Sequence, residues 1–411
     1  MTSPRHTDAI LQAFPVENGE LLIDGIPLTR LARQVGQTPF YAYDRCRIAD
    51  RVAHLRHHLP TEIHLHYAIK ANPMPAVVQH LAGLVDGFDL ASAGEMRLAL
   101  DTGMSPAHIS FAGPGKSEAE IAAAIAAGIT LNLESETELA TAARLGQELG
   151  LAPRVAVRVN PAFELRSAGM KMGGRPSPFG IDEERVPAVL GRIGKLGLDF
   201  QGLHIFCGSQ NLRPEAIIEA QERTFELAAR LAGDAPAPIR SLNIGGGFGI
   251  PYFPGERPLD IAPIGECLDR LLESKERHMP EARVILELGR YLVGEAGVYV
   301  CRVVDRKPSR GRVFLVTDGG LHHHLAASGN FGQVIRKNYP VLIGTRMDSP
   351  EREEVSIVGP LCTPLDLLAD RMELPRAEVG DLVVVLQSGA YGRSASPRDF
   401  LGHPPAGEVL V

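Results

Sequence analysis

The sequence predicts an α/β fold: a (β/α)8 TIM-like barrel followed by a C-terminal antiparallel β-domain. Three observations carry that expectation. Between about residues 40 and 290, eight short apolar runs alternate with helical patterns, the count of a (β/α)8 barrel. Intervening segments such as SEAEIAAAIAAG and ETELATAARLGQELG open on Ser- or Glu-rich first turns, as helix starts do. After about residue 290, strand-like runs separated by turns follow one another with little helix between them. A doubly wound open sheet is the structural alternative for the first part.

In order, the barrel strands are expected at IHLHYAIK, GFDLAS, HISFAG, ITLNLES, RVAVRVN, GLHIFCGS, SLNIGGG and VILELG. The β-domain strands are expected at GVYVCRVVDRK, GRVFLVTDGG, PVLIG, EVSIVGPLC and GDLVVVLQSGAYG. The N-terminal segment carries a short strand and a helix and is expected to join the β-domain. The divisions then fall at 1–38, 39–290 and 291–411.

A formal charge of −7 without a basic stripe argues against a nucleic-acid partner. No apolar run is long enough to span a bilayer, and MTSPRHTDAILQAF lacks a signal-peptide core. The five cysteines are scattered and odd in number, with no CxxC pair, so free thiols in a reducing cytoplasm are expected.

The strand tips concentrate the chemistry. In HLHYAIKAN, alternation turns Ile63, Leu65, Tyr67 and Ile69 toward the helices. His64, His66, Ala68 and Lys70 then face the lumen, with Lys70 at the C-terminal end, where barrel enzymes place their active sites. A surface lysine capping the strand is the plain alternative, weakened because other strands end in the same manner. Asp89 lies near the second tip, and the sixth strand places His204 and Phe206 on one parity before Gly208 and Ser209. The seventh ends in IGGGFGI, glycines that let backbone N–H groups approach an anion. The eighth brings Glu287 inward, followed by Arg290, a residue suited to a phosphate. Taken singly, the glycines read equally as a tight turn and His204 as a core histidine.

One ligand accounts for all the tips. A lysine able to form a Schiff base, a phosphate cup, an apolar ring face and a carboxylate for a ring nitrogen together describe pyridoxal 5'-phosphate.

These segments resemble the fold-type III pyridoxal-phosphate decarboxylases, the diaminopimelate, ornithine and arginine decarboxylase family with an alanine racemase-like barrel. YAIKAN resembles the cofactor-lysine motif, FDLAS the next strand, GGGFGIPY the phosphate glycines and ELGR the usual EPGR. GPLCTPLD and SGAYG are similar to the two C-terminal active-site motifs. The resemblance implies a head-to-tail homodimer with shared active sites. It makes Lys70 the cofactor lysine with Asp89 beside it, and assigns the phosphate to Ser209, Gly246, Gly247, Arg290 and Tyr391. Glu287 meets the ring nitrogen, and Cys362 from the second subunit acts as the proton donor. A buried, inert thiol is the alternative for Cys362.

Departures from the family pattern bear on the substrate. Phe206 replaces the histidine that stacks on the ring, with His204 on the same face, and Leu288 replaces the proline of EPGR. Thr363 follows Cys362 where relatives carry an acidic residue, and HHHLAASGNFG replaces an arginine-containing stretch. Asp366 keeps the family's aspartate after the cysteine. Thr363, Asp366 and His323 are therefore the expected substrate-side residues. The triplet His322–His324, read as a strand, suggests a polar pocket wall rather than a metal site.

The long loop FELRSAGMKMGGRPSPFGID is read as a lid or a platform for a larger substrate, with Lys171 and Arg175 meeting a carrier. GMKMGG and GPLCTPLD are similar to a subgroup that includes a glutamyl-carrier-protein decarboxylase and the exosortase-associated decarboxylases. The expected activity is release of CO2 from the α-carboxylate of a free or carrier-protein-bound amino acid. Diaminopimelate decarboxylation is the alternative. A racemase is disfavoured by Glu287 at the ring nitrogen, and a non-catalytic homologue by the retained Cys362 and Tyr391.

Overall fold

The computed structural model describes residues 14–163, 170–171, 176–253, 255–331, 333 and 336–411. The chain divides into two compact units. One comprises residues 50–250 and 258–291, the other residues 1–49, 251–257 and 292–411.

The first unit is a closed barrel of eight parallel strands. They are β1 (Ile63–Ala68), β2 (Gly87–Leu90), β3 (Ile109–Phe111), β4 (Thr130–Leu133), β5 (Arg154–Asn160), β6 (Asp199–Ile205), β7 (Ser241–Gly246) and β8 (Arg283–Leu288). Each pairs with its sequence neighbours, and β8 closes onto β1 with Glu287 opposite His66 and Leu288 opposite Tyr67. This closure excludes the open sheet, which would leave two free edges. Three of the helices between the strands start on serines. Ser92, Ser117 and Ser135 each accept a backbone N–H three residues on, and Ser117 with Glu120 completes a capping box.

β6 carries the one irregularity that matters for the site. A bulge between Phe200 and Gly202 shifts the register, so that Gly202 lies opposite Ala156 and His204 opposite Arg158. Gly202 has φ +155, and a Cβ there would lie 1.8 Å from the Ser241 carbonyl oxygen. Only glycine permits this approach. The bulge puts His204, rather than Leu203, level with the lumen-facing residues of β5 and β7.

The second unit is built on an eight-stranded sheet whose spine is the 13-residue strand Gly297–Ser309. The expected strands of this region are present, but the sheet is mixed rather than antiparallel. Arg312–Thr317 pairs in parallel with Arg352–Val358, and Gly407–Leu410 in parallel with Phe40–Tyr43. Phe40–Tyr43, which the sequence places at the start of the barrel, pairs instead with Gly297–Val300 of this sheet. Its apolar run FYAY fits either location, and only the long-range partner decides between them. Leu21, Ile23, Leu28 and Leu31 share one core with Phe40, Val298, Val300 and Val384, so the N-terminal hairpin and helix pack on this sheet. No helix among the described residues is long and apolar enough to cross a membrane.

Candidate active site

β1 ends at Ala68, and a single 3₁₀ turn, Ile69–Ala71, carries Lys70 beyond it. The turn is pinned where the Tyr67 hydroxyl donates to the Asn72 carbonyl at 2.9 Å. Lys70 Nζ lies 3.2 Å from Glu287 Oε1, at the end of the adjacent strand β8. The lysine side chain is 46% exposed and the glutamate 4%, so the ammonium reaches into open space from a buried counter-charge. His204 Nε2 stands 3.3 Å from the other oxygen of Glu287, and the Phe206 ring centroid is 5.8 Å from Lys70 Nζ.

Burial alone would push the Glu287 carboxyl up. The Lys70 ammonium and the His204 contact outweigh it and hold the group well below the usual carboxylate range. Glu287 is thus a fixed anion at the base of the lysine. Among the residues placed here by sequence, Lys70, His204, Phe206 and Glu287 form one cluster.

A glycine cradle lies at the adjoining tips. A Cβ on Gly246 would fall 2.1 Å from the Glu287 carbonyl oxygen, and one on Gly247 (φ +78) 2.5 Å from that of Gly208. The segment bearing Gly208 and Ser209 therefore runs in backbone contact with the triple glycine, and Asn211 N donates to Gly247 O at 2.9 Å. Beside them, a cavity of ≈ 20 Å³ is lined by Gly208, Gln221, Gly246 and Gly247. Gln221 is buried, and neither of its side-chain amide atoms has a hydrogen-bond partner among the described residues. Arg290 follows β8 at the start of a short helix. A cradle that admits no side chain, an unsatisfied amide beside it and an amine next to a fixed carboxylate fit pyridoxal 5'-phosphate. Cys207, next to Phe206, is a neutral thiol whose pKa burial pushes up to about 11.

Asp89 sits at the tip of β2 and is held through one oxygen. Ser110 Oγ and Asn243 Nδ2 both donate to its Oδ1, and His66 Nδ1 is 3.3 Å from its Oδ2. Several charged residues at the tips were not singled out from sequence. Arg158 bonds Glu134 at 2.8 Å, Lys116 bonds Glu138 at 2.8 Å, and Glu95 accepts the Ala91 N–H. Burial raises the Glu95 pKa, against that hydrogen bond and the charge of Lys70. Glu134 and Arg158 lie at the ends of barrel strands, and Glu95 and Glu138 in the first turn of the helices that follow.

Cys362, Thr363, Asp366, His323 and Tyr391 lie in the second unit. Cys362 is exposed, and Thr363 Oγ1 accepts the Leu365 N–H in the same turn. Tyr391 has φ +53, a left-handed conformation uncommon outside glycine. Two residues given to the substrate by sequence make tertiary hydrogen bonds. Asp366 accepts Leu321 N at 2.6 Å and Leu361 N at 2.8 Å, one on each oxygen, and so ties two turns together. His323 is buried, with Nε2 2.8 Å from the Pro404 carbonyl and Nδ1 3.4 Å from the Tyr299 hydroxyl. The His322–His324 run lies in a turn, not a strand, the preceding strand having ended at Thr317, so the expected alternation of faces does not apply. Arg175 and the side chain of Lys171 lie outside the described residues.

His324 supplies a pH prediction. It is buried, its Nδ1 accepts the Ala327 N–H at 3.2 Å, and its Nε2 pairs with Ser388 Oγ at 2.8 Å. Burial lowers its pKa to about 3, whereas an unfolded histidine takes up its proton near about 6.5. Between these values the unfolded chain binds a proton that the native chain refuses. The stability contribution is therefore complete above about pH 6.5 and is lost as pH falls toward about 3. In thermal melts, His324→Gln should show a flatter fall in midpoint than the native protein across that window. Parallel curves would contradict the assignment.

A barrel whose strand tips gather a half-exposed lysine amine, a fixed carboxylate and a glycine cradle has the groups an aldehyde cofactor with a phosphate requires. Residues 45–294 match the pyridoxal binding domain of the pyridoxal-dependent decarboxylases, and the chain belongs to that family. It is 41% identical to the L-glutamyl-[BtrI acyl-carrier protein] decarboxylase of Niallia circulans, over 94% of this chain and 92% of that one. It is 33% identical to the diaminopimelate decarboxylase of Aquifex aeolicus, over 96% and 91% of the two chains. The solved diaminopimelate decarboxylase of M. jannaschii with L-lysine superposes with a TM-score of 0.85 at 26% identity, covering 97% of this chain and 92% of that one. The protein is a pyridoxal-phosphate-dependent carboxy-lyase acting on an amino acid or an amino-acid derivative.

Proposed function

We propose that the enzyme decarboxylates an amino acid carried as a thioester on an acyl-carrier protein, and that it works as a homodimer in the cytoplasm. The observation that carries the substrate reading is the similarity, along nearly the whole chain, to a decarboxylase of a glutamyl carrier protein. The charge pattern agrees with it. Thr363 and the segment from Ala326 to Phe331 offer no ionic group. Arg336, which packs on Gly329, spends its guanidinium on the carbonyls of Ser328 and Leu367. A distal ammonium or carboxylate brought there would be left unpaired. Five free cysteines suit a reducing compartment.

In this reading Lys70 holds the cofactor covalently, while the glycine cradle, Ser209, Arg290 and Tyr391 hold its phosphate. Asp89 lies beside them, His204 and Phe206 flank the ring, and Glu287 keeps the ring nitrogen protonated. When bound, pyridoxal phosphate supplies the electron sink that stabilises the negative charge left on the α-carbon as CO2 departs. Cys362 Sγ of a second copy delivers the proton that replaces the carboxylate.

A kinetic panel tests the substrate. Turnover of L-glutamyl-carrier protein should exceed that of free meso-diaminopimelate and L-ornithine by about 10²-fold or more in kcat/KM, the scale of discrimination against unpaired groups. Efficient turnover of free meso-diaminopimelate would sink the carrier-bound reading.

Subunit mixing tests the shared site. Equal amounts of Lys70→Ala and Cys362→Ala, each inactive alone, should regain roughly a quarter of native activity, since half the dimers carry one intact site of two. Activity that stays at background while subunits demonstrably exchange would rule the shared site out.

A further inference from the structure

The end of the barrel opposite Lys70 holds a second polar cavity. It measures ≈ 40 Å³, more than the roughly 10–15 Å³ that one water occupies on this scale. Its walls come from the first lumen-facing residues of the strands: His64 of β1, Thr130 of β4, Arg154 of β5, Ser241 of β7 and Arg283 of β8. Barrels ordinarily fill these layers with Val, Ile and Leu. Here the lining includes two arginines, three histidines and several neutral hydrogen-bonding side chains, and no carboxylate among the described residues.

The Arg154 side chain is incompletely compensated. Arg154 Nη2 donates to Gln201 Oε1 at 3.0 Å, but its Nε is buried without a hydrogen-bond partner among the described residues. The nearest acid, Asp199, is 4.0 Å from Arg154 and is engaged more closely by Arg240, at 2.9 Å. Burial lowers the Arg154 pKa, Asp199 opposes this, and Arg240 and Arg283 add to the lowering. Burial also lowers that of His64, Asp86 opposing and Arg283 adding to it. A cavity lined by two arginines, hydroxyls and amides, with no carboxylate among the described residues, suits an acceptor carrying negative charge.

We propose that the floor of the barrel is a binding site for a small oxyanion of the phosphate or sulfate class, held by Arg154 and Arg283 with Thr130 and Ser241 alongside. The site is separate from the cofactor's glycine cradle, which belongs to the tips of β6 and β7, and it does not depend on which amino acid the enzyme decarboxylates. Its occupant neutralises the arginines at the base of the lumen and stabilises the barrel.

The test uses holoenzyme saturated with pyridoxal phosphate, so that the cofactor's own phosphate site is filled. In an oxyanion-free buffer, calorimetric titration with inorganic phosphate, and separately with sulfate, should show saturable one-to-one binding that chloride at equal ionic strength does not reproduce. Arg283→Gln, at an exposed position, and Arg154→Gln should each weaken it about tenfold or more, the loss expected for one charge-assisted hydrogen bond, with the visible cofactor band unchanged. If Arg154→Gln fails to fold, Arg283→Gln decides the matter. A selenate soak of holoenzyme crystals should place an anomalous peak between the two arginines. Absence of saturable binding, equal binding by the native protein and Arg283→Gln, or selenate found only elsewhere would overturn the proposal.

Discussion

Lys70→Ala is expected to abolish the visible absorbance of the bound cofactor and to reduce turnover by about 10⁴-fold or more, the scale seen when an essential catalytic group is removed. Lys70 Nζ is 3.2 Å from Glu287 Oε1 and partly exposed, so it is both reachable and held by a fixed counter-charge. The substitution also withdraws the largest compensating charge from Glu287, whose carboxyl lies in a site where burial favours the neutral form. The Glu287 pKa should therefore rise in the variant, and its cofactor-free form should not gain stability from a shorter side chain. Retention of the native spectrum by Lys70→Ala would remove the lysine from the cofactor site.

Glu287→Gln is the second large effect. The carboxylate accepts contacts from Lys70 and His204 on its two oxygens. A neutral amide preserves the shape of the side chain but not the anion that keeps a ring nitrogen protonated. Decarboxylation should fall by about 10²- to 10³-fold, the scale of a lost preorganised electrostatic contact, while the cofactor remains covalently bound. Measuring kcat alongside the visible spectrum separates the two roles. A variant with native kcat would show that Glu287 acts only as a structural partner of Lys70.

The barrel was legible in the sequence because each strand is a short apolar run that ends at a tip with its own chemistry. Lys70, His204, Phe206 and Glu287 were found through such tips, and they come together as one cluster. The bulge at Gly202 was not legible, since a register shift depends on the neighbouring strand. The same limit explains Phe40–Tyr43, whose partner Gly297–Val300 lies some 250 residues away. The strand Leu367–Pro375 escaped notice because LLADRMELP mixes charged and apolar residues without a clean two-residue period. The sequence places Asp366 and His323 on the substrate side by their position alone. Their hydrogen bonds to Leu321, Leu361 and Pro404 are tertiary contacts that no local pattern encodes. The polar layer of His64, Arg154 and Arg283 was in view as strand residues, but its meaning emerges only when β1, β5 and β8 surround one cavity.

Every role proposed for the strand tips depends on Lys70 being the residue to which the cofactor is joined. Borohydride treatment of the native holoenzyme followed by proteolysis and mass spectrometry addresses it directly. The phosphopyridoxyl group is expected on the peptide containing Lys70, and Lys70→Ala should yield no labelled peptide from this segment. Stoichiometric label on another lysine of the native enzyme, with Lys70 unmodified, would contradict it.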